Sequence, residues 1–386
     1  MAIDATDGAP SPDFQIPPSP NTVKVSIINT TGAIHGAGSA GFVGPTVIKG
    51  HEFLKVPILS FLIEHSSPNN ATRSLLFDLG LRKDWQNLSP VLVGLLKTVN
   101  WTVEVKQGIR EILDAGGVDT ASIEAMILSH PHFDHVGDAS TFEPSTALIV
   151  GPGYKEHMTP AYPANQESVM LESDYTGREL RELSFDGTSE TFKTLDIGPF
   201  RAIDYFEDGS FYILDTPGHT IGHISALARV SSASSAGDHD SFIVMAGDGF
   251  HHAGELRPSP FLPLPDQIAP SPLDSRHGEC SCTLFKPILP NGTASPFYNP
   301  AGPGGWHHDP EKATQTVRKL QELDALEVVL VVASHDAHVM NVVDFFPTRV
   351  DGKKIPAWDR EARWKFLEDF AEAVKDLEVG GEGGPA

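Results

Sequence analysis

The sequence predicts an α/β protein in which two β-sheets pack together and helices cover their outer faces. Three observations lead to this prediction. Apolar, strand-like segments recur along the chain, a helical pattern follows each half of them, and several of these segments end at a histidine or an aspartate. The chain of 386 residues, with 40% hydrophobic side chains, can bury a sizeable core in one enlarged domain or two small ones. The order of the elements favours one domain with two sheets inside and helices outside.

The helices are predicted from the spacing of their apolar residues. This spacing predicts helices over residues 103–115, 310–323 and 362–377. The first ends at Gly116-Gly117, a common helix stop. In the third, Phe366, Phe370 and Val374 recur every four residues and share one face. A stripe of this kind predicts packing against a core rather than binding of a ligand.

The most informative segment follows the apolar run 125–128 and holds four candidate metal ligands, His130, His132, Asp134 and His135. The apolar run predicts a strand that delivers its C-terminal loop into a site. Side chains alternate along an extended backbone, so His130 and His132 point the same way and can hold one ion. Asp134 and His135 come after the chain begins to turn and can face a second ion. The alternative is a polar loop in which histidines happen to cluster.

Three further candidate ligands also stand at the ends of apolar runs. They are His219 after 211–214, Asp248 after 242–246, and His335 after 328–333. A histidine in such a place is, by itself, more typical of a hydrogen-bonded loop. Together with the first segment these residues indicate two cations, with the Asp248 carboxylate able to bridge them. Imidazole with a carboxylate suits zinc, and manganese, iron and cobalt are alternatives because geometry and supply decide among such metals.

The order of these motifs resembles that of the metallo-β-lactamase-fold hydrolases, and among them the N-acyl-homoserine lactonase-like branch. His-x-His-x-Asp-His is followed by Thr-Pro-Gly-His-Thr-x-Gly-His at 216–223, Gly-Asp at 247–248 and Ser-His at 334–335. The resemblance extends from about residue 23 to about residue 346. It implies an αββα sandwich, in which two mixed β-sheets are flanked by helices.

The resemblance also implies a role for each candidate ligand. One metal ion would be held by His130, His132 and His219, the other by Asp134, His135 and His335, and Asp248 would bridge them. Asp78, which ends the early hairpin at 57–80, is expected to contact a metal-binding histidine. The expected cofactors are therefore two divalent metal ions, Zn²⁺ first, with Mn, Co and Fe as alternatives.

The implied activity is hydrolysis of a lactone or similar cyclic ester in a small-molecule substrate, by attack of a hydroxide that bridges the two ions. Asp134 or Asp248 accepts the proton of the nucleophile, and that proton, or one from His251, reaches the departing alkoxide. An amide hydrolase such as a lactamase, or an acyl-thioester hydrolase, is the alternative within the fold. An iron-dependent redox enzyme is the alternative from another class. No Gly-x-Ser-x-Gly elbow supports a serine hydrolase.

One position departs from the lactonase pattern. Lactonases of this branch usually carry a tyrosine near the metals, whereas this chain has His251, followed by His252, just after the bridging aspartate. An imidazole can donate the same hydrogen bond and can act as a general acid near neutral pH. The alternative is a surface histidine pair without a role. A second pair, His307-His308, is expected to consist of capping or solvent residues.

Contacts with the substrate are expected from the loop at 35–47, which approaches the metals in this family. Phe42, Val43 and Trp85 are candidates for contact with a hydrophobic acyl chain or ring, and His251 for contact with the reacting groups. A mobile loop with no role in binding is the alternative.

The sequence divides into an extended, proline-rich arm at 1–22, a catalytic domain at 23–376 and a disordered tail at 377–386. In related chains such an arm can wrap a neighbouring subunit, which implies a homodimer formed through it. Within the domain, a Pro/Gly-rich insertion at about 257–305 keeps regular elements short. It is expected to pack over or beside the metal site as part of the substrate pocket, the alternative being a surface excursion.

Charge and composition narrow the partners and the compartment. The formal net charge of −23 disfavours nucleic acid, whose phosphates such a surface repels. No apolar run reaches the length of a membrane span, and the first residues lack a secretory pattern. Cys280 and Cys282 are separated by one residue and would form a strained disulfide, so reduced thiols are expected. These features predict a cytoplasmic protein that binds neither nucleic acid nor membrane.

Overall fold

The computed structural model describes residues 12, 14–66, 72–188, 192–234, 239–273 and 278–378. The predicted arm lies outside the described residues at 1–11 and at 13, and the predicted tail does so from 379 onward.

The strands, numbered along the chain, are β1 (Val23–His35), β2 (Val43–Gly44), β3 (Val56–Ser66), β4 (Thr72–Phe77), β5 (Thr102–Val105), β6 (Ile123–Ile127), β7 (Ala147–Val150), β8 (Leu180–Glu182), β9 (Thr194–Ile197), β10 (Phe200–Asp204), β11 (Phe211–Asp215), β12 (Ile224–Ser231), β13 (Ser241–Met245), β14 (Gln267–Ile268), β15 (Cys280–Ser281), β16 (Asn299–Pro300) and β17 (Val329–Val332). The first large sheet has seven strands in the order β5-β1-β3-β4-β6-β7-β8, and the second has six in the order β17-β13-β12-β11-β10-β9. Each sheet is mixed, because β4, β6, β7 and β8 pair in parallel, as do β13 and β17, while the other pairings are antiparallel.

The strand alternation separates the side chains into layers. In β3, Phe61 and Ile63 join the core between the two sheets, while Leu62 lies in the core on the outer face of the first sheet. The inner core also takes Ile213 of β11 and Ile243 of β13 from the second sheet. This burial pattern is that of two sheets packed face to face.

The α-helices of the described residues are α1 (Pro90–Thr98), α2 (Ile109–Ala115), α3 (Phe133–Val136), α4 (Tyr154–Met158), α5 (Pro310–Asp324), α6 (Ile355–Ala362) and α7 (Ala371–Glu378). Helix α5 packs Val317 and Leu320 on the outer face of the second sheet, and α2 packs Ile109 and Leu113 on the outer face of the first. The order of layers is therefore helix, sheet, sheet, helix, which confirms the predicted αββα sandwich.

Helix α5 confirms the helix predicted at 310–323, and Asp309 caps it by accepting the Lys312 N–H at 3.1 Å. The helix predicted at 103–115 was wrong in its first part, because β5 occupies Thr102–Val105 and pairs with β1. The alternating, partly β-branched Thr-Val-Glu-Val of β5 suits an edge strand better than a helix. The helix predicted at 362–377 is interrupted by a 3₁₀ segment at Lys365–Phe370 before α7.

The Pro/Gly-rich insertion at 257–305 contains only two-residue strands and 3₁₀ turns among its described residues, as predicted from its composition. Its end is joined to the loop that carries Phe42, since β16 pairs with β2 and the Ala301 N–H donates to Phe42 O at 2.8 Å. Cys280 and Cys282 are both buried, and the reduced state of their thiols stays a prediction.

The described part of the arm lies against the chain's own second sheet. Phe14 packs on Phe200 with ring centroids 6.3 Å apart, and the Arg229 guanidinium donates to Pro17 O at 2.6 Å. A homodimer formed through the arm stays a prediction. Among the described residues, no helix combines the length and the apolar character needed to cross a bilayer.

Candidate metal centre

The candidate ligands meet because the strands that precede them end at the same edge of the sandwich. Strands β13 and β17 run parallel, and β11 is separated from β13 by one antiparallel strand, so all three point the same way. The loop after β6 joins them from the other sheet, where the Ile224 N–H donates to Ser129 O at 2.8 Å. The Ser334 N–H likewise donates to Gly247 O at 2.9 Å, which ties the loops after β13 and β17 together.

A single helical turn separates the candidate ligands that follow β6. His132 is the N-cap residue of α3 and has an extended backbone, and the His135 N–H donates to His132 O at 3.0 Å. The extended part presents His130 and His132, and the turn sends Asp134 and His135 in another direction. The local geometry thus divides one short segment between two groups, as the sequence predicted.

The first group brings three imidazole nitrogens together. His132 Nδ1 lies 3.0 Å from His130 Nε2 and 3.0 Å from His219 Nε2. The second group consists of Asp134, His135 and His335, in which the Nε2 atoms of the two histidines are 3.3 Å apart and His335 Nε2 is 3.4 Å from Asp134 Oδ2. Within each group all candidate ligand atoms lie within 4.8 Å of one another.

Asp248 stands between the two groups. Its Oδ1 lies 3.3 Å from both His135 Nε2 and His335 Nε2, and its Oδ2 lies 3.4 Å from His219 Nε2. Among the described residues, the buried Oδ1 atom has no hydrogen-bond partner. A buried carboxylate oxygen in this state is expected to bind a cation, because it is costly to leave unpaired.

The outer nitrogens of three of the histidines are occupied by acceptors. His135 Nδ1 donates to Asp78 Oδ2 at 2.8 Å, and His335 Nδ1 donates to Pro57 O at 2.9 Å. His130 Nδ1 lies 2.9 Å from Ser129 Oγ, whose own hydroxyl donates to Asp78 Oδ2 at 2.8 Å. A neutral imidazole protonated on its outer nitrogen presents a lone pair on the inner one. Lone pairs that converge in a buried space fit divalent metal ions. The predicted contact of Asp78 with one of the candidate ligand histidines, His135, is present.

Burial and charge support this reading of the donor set. Burial lowers the pKa of His132 to about 4, and burial together with neighbouring imidazoles lowers the pKa of His130 and His219 well below the usual value, so these rings stay neutral. Burial also acts to lower the pKa of His135 and His335, but the neighbouring carboxylates, Asp248 first, together outweigh it and raise the pKa of both. The carboxylates therefore favour positive charge at the place where the second group converges.

His251 lies inside the site, so the alternative of a surface pair is wrong. Its Nε2 atom is 3.2 Å from Asp248 Oδ2, its ring centroid is 4.8 Å from that of Phe42, and neither ring nitrogen has a hydrogen-bond partner among the described residues. His252 points away from the centre, and its Nε2 atom lies 3.4 Å from Asp369 Oδ2.

An apolar cavity of about 100 Å³ opens next to the candidate metal centre. Besides site residues it is lined by Ile34, Ala37, Phe42, Leu54, Val56, Leu92, Leu95, Leu96, Val99, Trp101, Phe133 and Trp306. Phe42 lines the cavity, and its contact with a substrate stays a prediction. The expected contacts by Val43 and Trp85 were wrong: Val43 is buried in the core beside β16, and Trp85 packs behind the cavity against the apolar cluster of α1.

Among its described residues, the insertion at 257–305 contributes no lining residue to this cavity, which corrects the expectation that it forms part of the pocket. It supports the cavity from behind, because its Leu264, Phe285 and Tyr298 pack in the same apolar cluster as Phe42.

Sequence reasoning missed the aromatic residues Trp101 and Trp306 and misassigned His307. Trp101 and Trp306 lie with ring centroids 5.3 Å apart, and Phe42 is 6.2 Å from the first and 6.3 Å from the second. His307 is buried rather than a capping or solvent residue, with Nδ1 3.4 Å from His219 Nδ1 and Nε2 3.0 Å from Phe42 O. Burial lowers the pKa of His307 to about 4. The only signal in the sequence was the run Trp-His-His directly before a helix cap.

Comparison with known proteins agrees with this arrangement. The chain matches the Metallo-beta-lactamase superfamily over residues 55–335. It is 40% identical over 368 residues to Gamma-lactamase FDB1 of Fusarium pseudograminearum, covering 95% of this chain and 87% of that protein. It is also 40% identical over 369 residues to Cytochrome P450 monooxygenase mpaDE' of Penicillium brevicompactum, covering 94% of this chain but 39% of that protein. The chain thus spans well under half the length of this second relative.

Among solved structures, the chain is similar to an N-acyl homoserine lactone hydrolase that has the product N-hexanoyl-L-homoserine bound at its catalytic metal center. The TM-score is 0.51 at 16% sequence identity, and the likeness covers 86% of this chain and 100% of the other. At this identity the likeness concerns the fold. Because the superfamily match covers most of its length and a relative is 40% identical along nearly all of it, the chain belongs to the metallo-beta-lactamase superfamily.

Proposed function

We propose that this protein is a dinuclear metal-dependent hydrolase that opens a lactone or similar cyclic ester in a small, uncharged substrate. Membership of the superfamily already indicates a metal-dependent hydrolase, and the two-ion centre and the ring opening go beyond it. The observation that carries the proposal is the pair of ligand groups on either side of Asp248, next to an apolar cavity.

The residues proposed to hold the ions are His130, His132 and His219 in one group, Asp134, His135 and His335 in the other, and Asp248 between them. Bound divalent ions supply a water-derived nucleophile at neutral pH and withdraw charge from the acyl oxygen of a substrate. Asp134 and Asp248 both border the cavity, where either carboxylate can accept the proton of the attacking water.

His251 is proposed to donate a proton to the departing group. Its ring borders the cavity, and its Nε2 atom lies 3.2 Å from Asp248 Oδ2, beside the proposed ligands. A donor at this place takes the role of the tyrosine that lactonases of the resembling branch carry, and the ring is held by its contact with Phe42.

The cavity favours an uncharged, apolar substituent beside the reacting ring. Among its lining residues, Asp134 and Asp248 are the only carboxylates, and no lysine or arginine is present to bind an anionic group. The Phe42 and Trp306 rings both line the cavity, with their centroids 6.3 Å apart, so they form an aromatic wall against which an apolar group can pack.

A second candidate is opening of a γ-lactam, which the name of the 40% identical Gamma-lactamase FDB1 favours. Amide nitrogen is a poorer leaving group than an alkoxide, so this reaction depends more strongly on a proton donor such as His251. The same ligand groups and cavity serve both reactions.

The test measures metal content by elemental analysis together with turnover of lactone and lactam pairs that share ring size and substituent. We expect about two equivalents of divalent metal per chain and opening of the lactone, both diminished in His132→Ala. His157→Ala, which changes an exposed histidine away from the centre, is the matched control and should leave both unchanged.

Each outcome distinguishes the candidates. Turnover of the lactams alone would replace the lactone proposal by the lactam one. One equivalent of iron with oxygen uptake and no hydrolysis would overturn both and move the protein to the redox class.

A further inference from the structure

His307 lies between the metal centre and the wall of the cavity, outside both groups of proposed ligands. Its ring centroid is 5.4 Å from that of His219 and 5.2 Å from that of His251. The residue is 8% exposed, whereas its neighbour His308 is exposed to solvent.

The contacts of His307 define which of its nitrogens carries the proton. Nε2 lies 3.0 Å from the carbonyl oxygen of Phe42, which can only accept, so Nε2 is the donor. In the neutral ring Nδ1 then has a lone pair, which faces His219 Nδ1 at 3.4 Å. His219 consequently donates from Nδ1. Its Nε2 lone pair then faces the space that His219 shares with His130, His132 and Asp248, where the metal ion is proposed to bind.

Backbone hydrogen bonds join the residues on both sides of His307 to neighbouring loops. The Trp306 N–H donates to Gly41 O at 2.8 Å, in the loop before Phe42. On the other side, the His308 N–H donates to His219 O at 2.8 Å and the Asp309 N–H donates to Gly218 O at 2.9 Å. The segment 306–309 therefore joins the cavity wall to the turn that carries His219, and the His307 ring completes this connection through its side chain.

We propose that His307 is a positioning residue that holds His219 in the tautomer needed to bind a metal ion through Nε2 and connects that ligand to the Phe42 wall of the cavity. The inference rests on the proposed metal centre. An imidazole takes the place that a carboxylate or a backbone carbonyl usually occupies behind a metal-binding histidine. Asp78 and Pro57 O fill that place for His135 and His335.

A buried histidine can also serve only to fill space, and two substitutions separate the two roles. His307→Leu fills a similar volume but removes both hydrogen bonds. His307→Gln keeps one acceptor and one donor, so it can still accept from His219 Nδ1 and donate to Phe42 O. His308→Leu is the control, because it changes an exposed side chain and leaves the His308 N–H bond to His219 O in place.

The experiment measures zinc content and the rate of zinc release to a chelator for the wild type and the three variants. We expect His307→Leu to release one of two zinc ions about 10- to 100-fold faster than the wild type, the size of effect typical of residues behind a metal ligand. His307→Gln should recover most of that loss, and His308→Leu should match the wild type. With zinc in excess, His307→Leu should also raise KM more than it lowers kcat, because the Phe42 wall has lost a support.

Equal release rates for wild type and His307→Leu would overturn the positioning role while leaving the metal centre in place. If His307→Gln releases zinc as fast as His307→Leu does, the side chain serves to fill space and its hydrogen bonds do not matter. This result would also overturn the positioning role. A wild type that binds no divalent metal ion, whether zinc, manganese, cobalt or iron, would overturn the proposed function and this inference together. If His307→Leu does not fold by circular dichroism, His307→Met replaces it in the same comparison.

Discussion

Several histidines of the proposed centre are oriented by a hydrogen-bond partner behind the ring. Asp78 illustrates this arrangement, because its Oδ2 accepts from His135 Nδ1 at 2.8 Å and from the Ser129 hydroxyl, and Ser129 in turn contacts His130. One carboxylate therefore orients a histidine of each ligand group. The backbone of Asp78 has a φ of +60°, a conformation that few residues other than glycine, asparagine and aspartate adopt readily.

We predict that Asp78→Asn weakens binding of both metal ions. The amide accepts less strongly than the carboxylate and can turn its NH₂ group towards His135, so metal affinity should fall about 10- to 100-fold. Competition with a zinc chelator measures the change, and Asp119→Asn, in an exposed turn, is the control. Unchanged affinity in Asp78→Asn would show that Asp78 does not act on the ligands.

We predict that His251→Phe retains the metal ions but lowers kcat. The substitution keeps an aromatic ring against Phe42 and removes the proposed proton donor, so kcat should fall by about 10²-fold or more. His251→Gln keeps a donor and should retain more of the activity on a lactone. Elemental analysis and steady-state kinetics on the same samples separate loss of metal from loss of proton donation, and an unchanged kcat in His251→Phe would exclude the role.

At the scale of elements, the turns after the strands decide whether the ligands converge. Gly218 has a φ of +131°, and a Cβ atom added to it would lie 2.1 Å from the backbone nitrogen of Ala313 in α5. Glycine at this position allows the turn that carries His219 to pack directly on the start of that helix.

We predict that Gly218→Ala destabilises the protein and displaces His219. Gly177→Ala is the matched control, because Gly177 also has a positive φ, of +82°, but open space around its added Cβ. The control should lose about 1 kcal/mol of unfolding free energy from backbone strain alone, whereas Gly218→Ala should lose several times that amount and also bind less metal. Equal losses in the two variants, measured by urea unfolding, would contradict the close packing.

The segment between α6 and α7 is joined to the loop after β17 by a buried ionic contact. Asp369 accepts from His338 Nε2 at 2.8 Å and from Lys55 Nζ at 2.6 Å. Burial acts to lower the pKa of His338, but hydrogen bonds to Asp336 and Asp369 outweigh it and raise the pKa to about 9. The protonated ring is therefore the form that the folded protein favours.

This contact predicts a pH dependence of stability. The pKa of His338 is higher in the folded state than the unfolded value of 6.5, so its contribution is complete below pH 6.5 and is lost as the pH rises through about 9. The difference in unfolding free energy between the wild type and His338→Gln should accordingly shrink from pH 6 to pH 9.5. A difference that stays constant over this range would show that His338 is not charged in the folded protein.

At the scale of the whole molecule, the negative charge of the protein and the apolar cavity both favour a neutral substrate over an anionic one. The chain carries a formal net charge of −23, and the cavity beside the centre has no lysine or arginine in its lining. Phe53, Leu95 and Trp306 are among the exposed large hydrophobic residues, and the last two also line the cavity, so its entrance is apolar.

We predict that a neutral substrate reacts faster than the same substrate with an added carboxylate on its apolar substituent. Repulsion by the acidic surface and burial of an unpaired charge both oppose the carboxylated form, so its kcat/KM should be lower by about tenfold or more at low ionic strength. Added salt should reduce the difference in kcat/KM between the two substrates, because it screens the repulsion between the carboxylate and the acidic protein surface. A carboxylated substrate that reacts equally well would contradict this view of the cavity.

The candidate metal centre was predictable because its proposed ligands lie within short segments at the ends of apolar runs. His130, His132, Asp134 and His135 are close in sequence, and strand alternation followed by a turn already divides them into two groups. His251 could be singled out only because it stands close to Asp248. The strand β5 was missed because Thr102–Val105 is short and adjoins a true helix, and pairing with β1 decided its conformation.

The sequence by itself determined the fold class and the identity of the candidate ligands, since local periodicity and ligand spacing are properties of neighbouring residues. Only the tertiary structure decided that Trp101, Trp306 and His307 lie beside Phe42, that Val43 and Trp85 do not face the cavity, and that the insertion supports the wall from behind. These contacts join residues separated by tens to hundreds of positions along the chain. Their formation depends on how the two sheets and their loops pack, and no local pattern records which distant side chains will share a space.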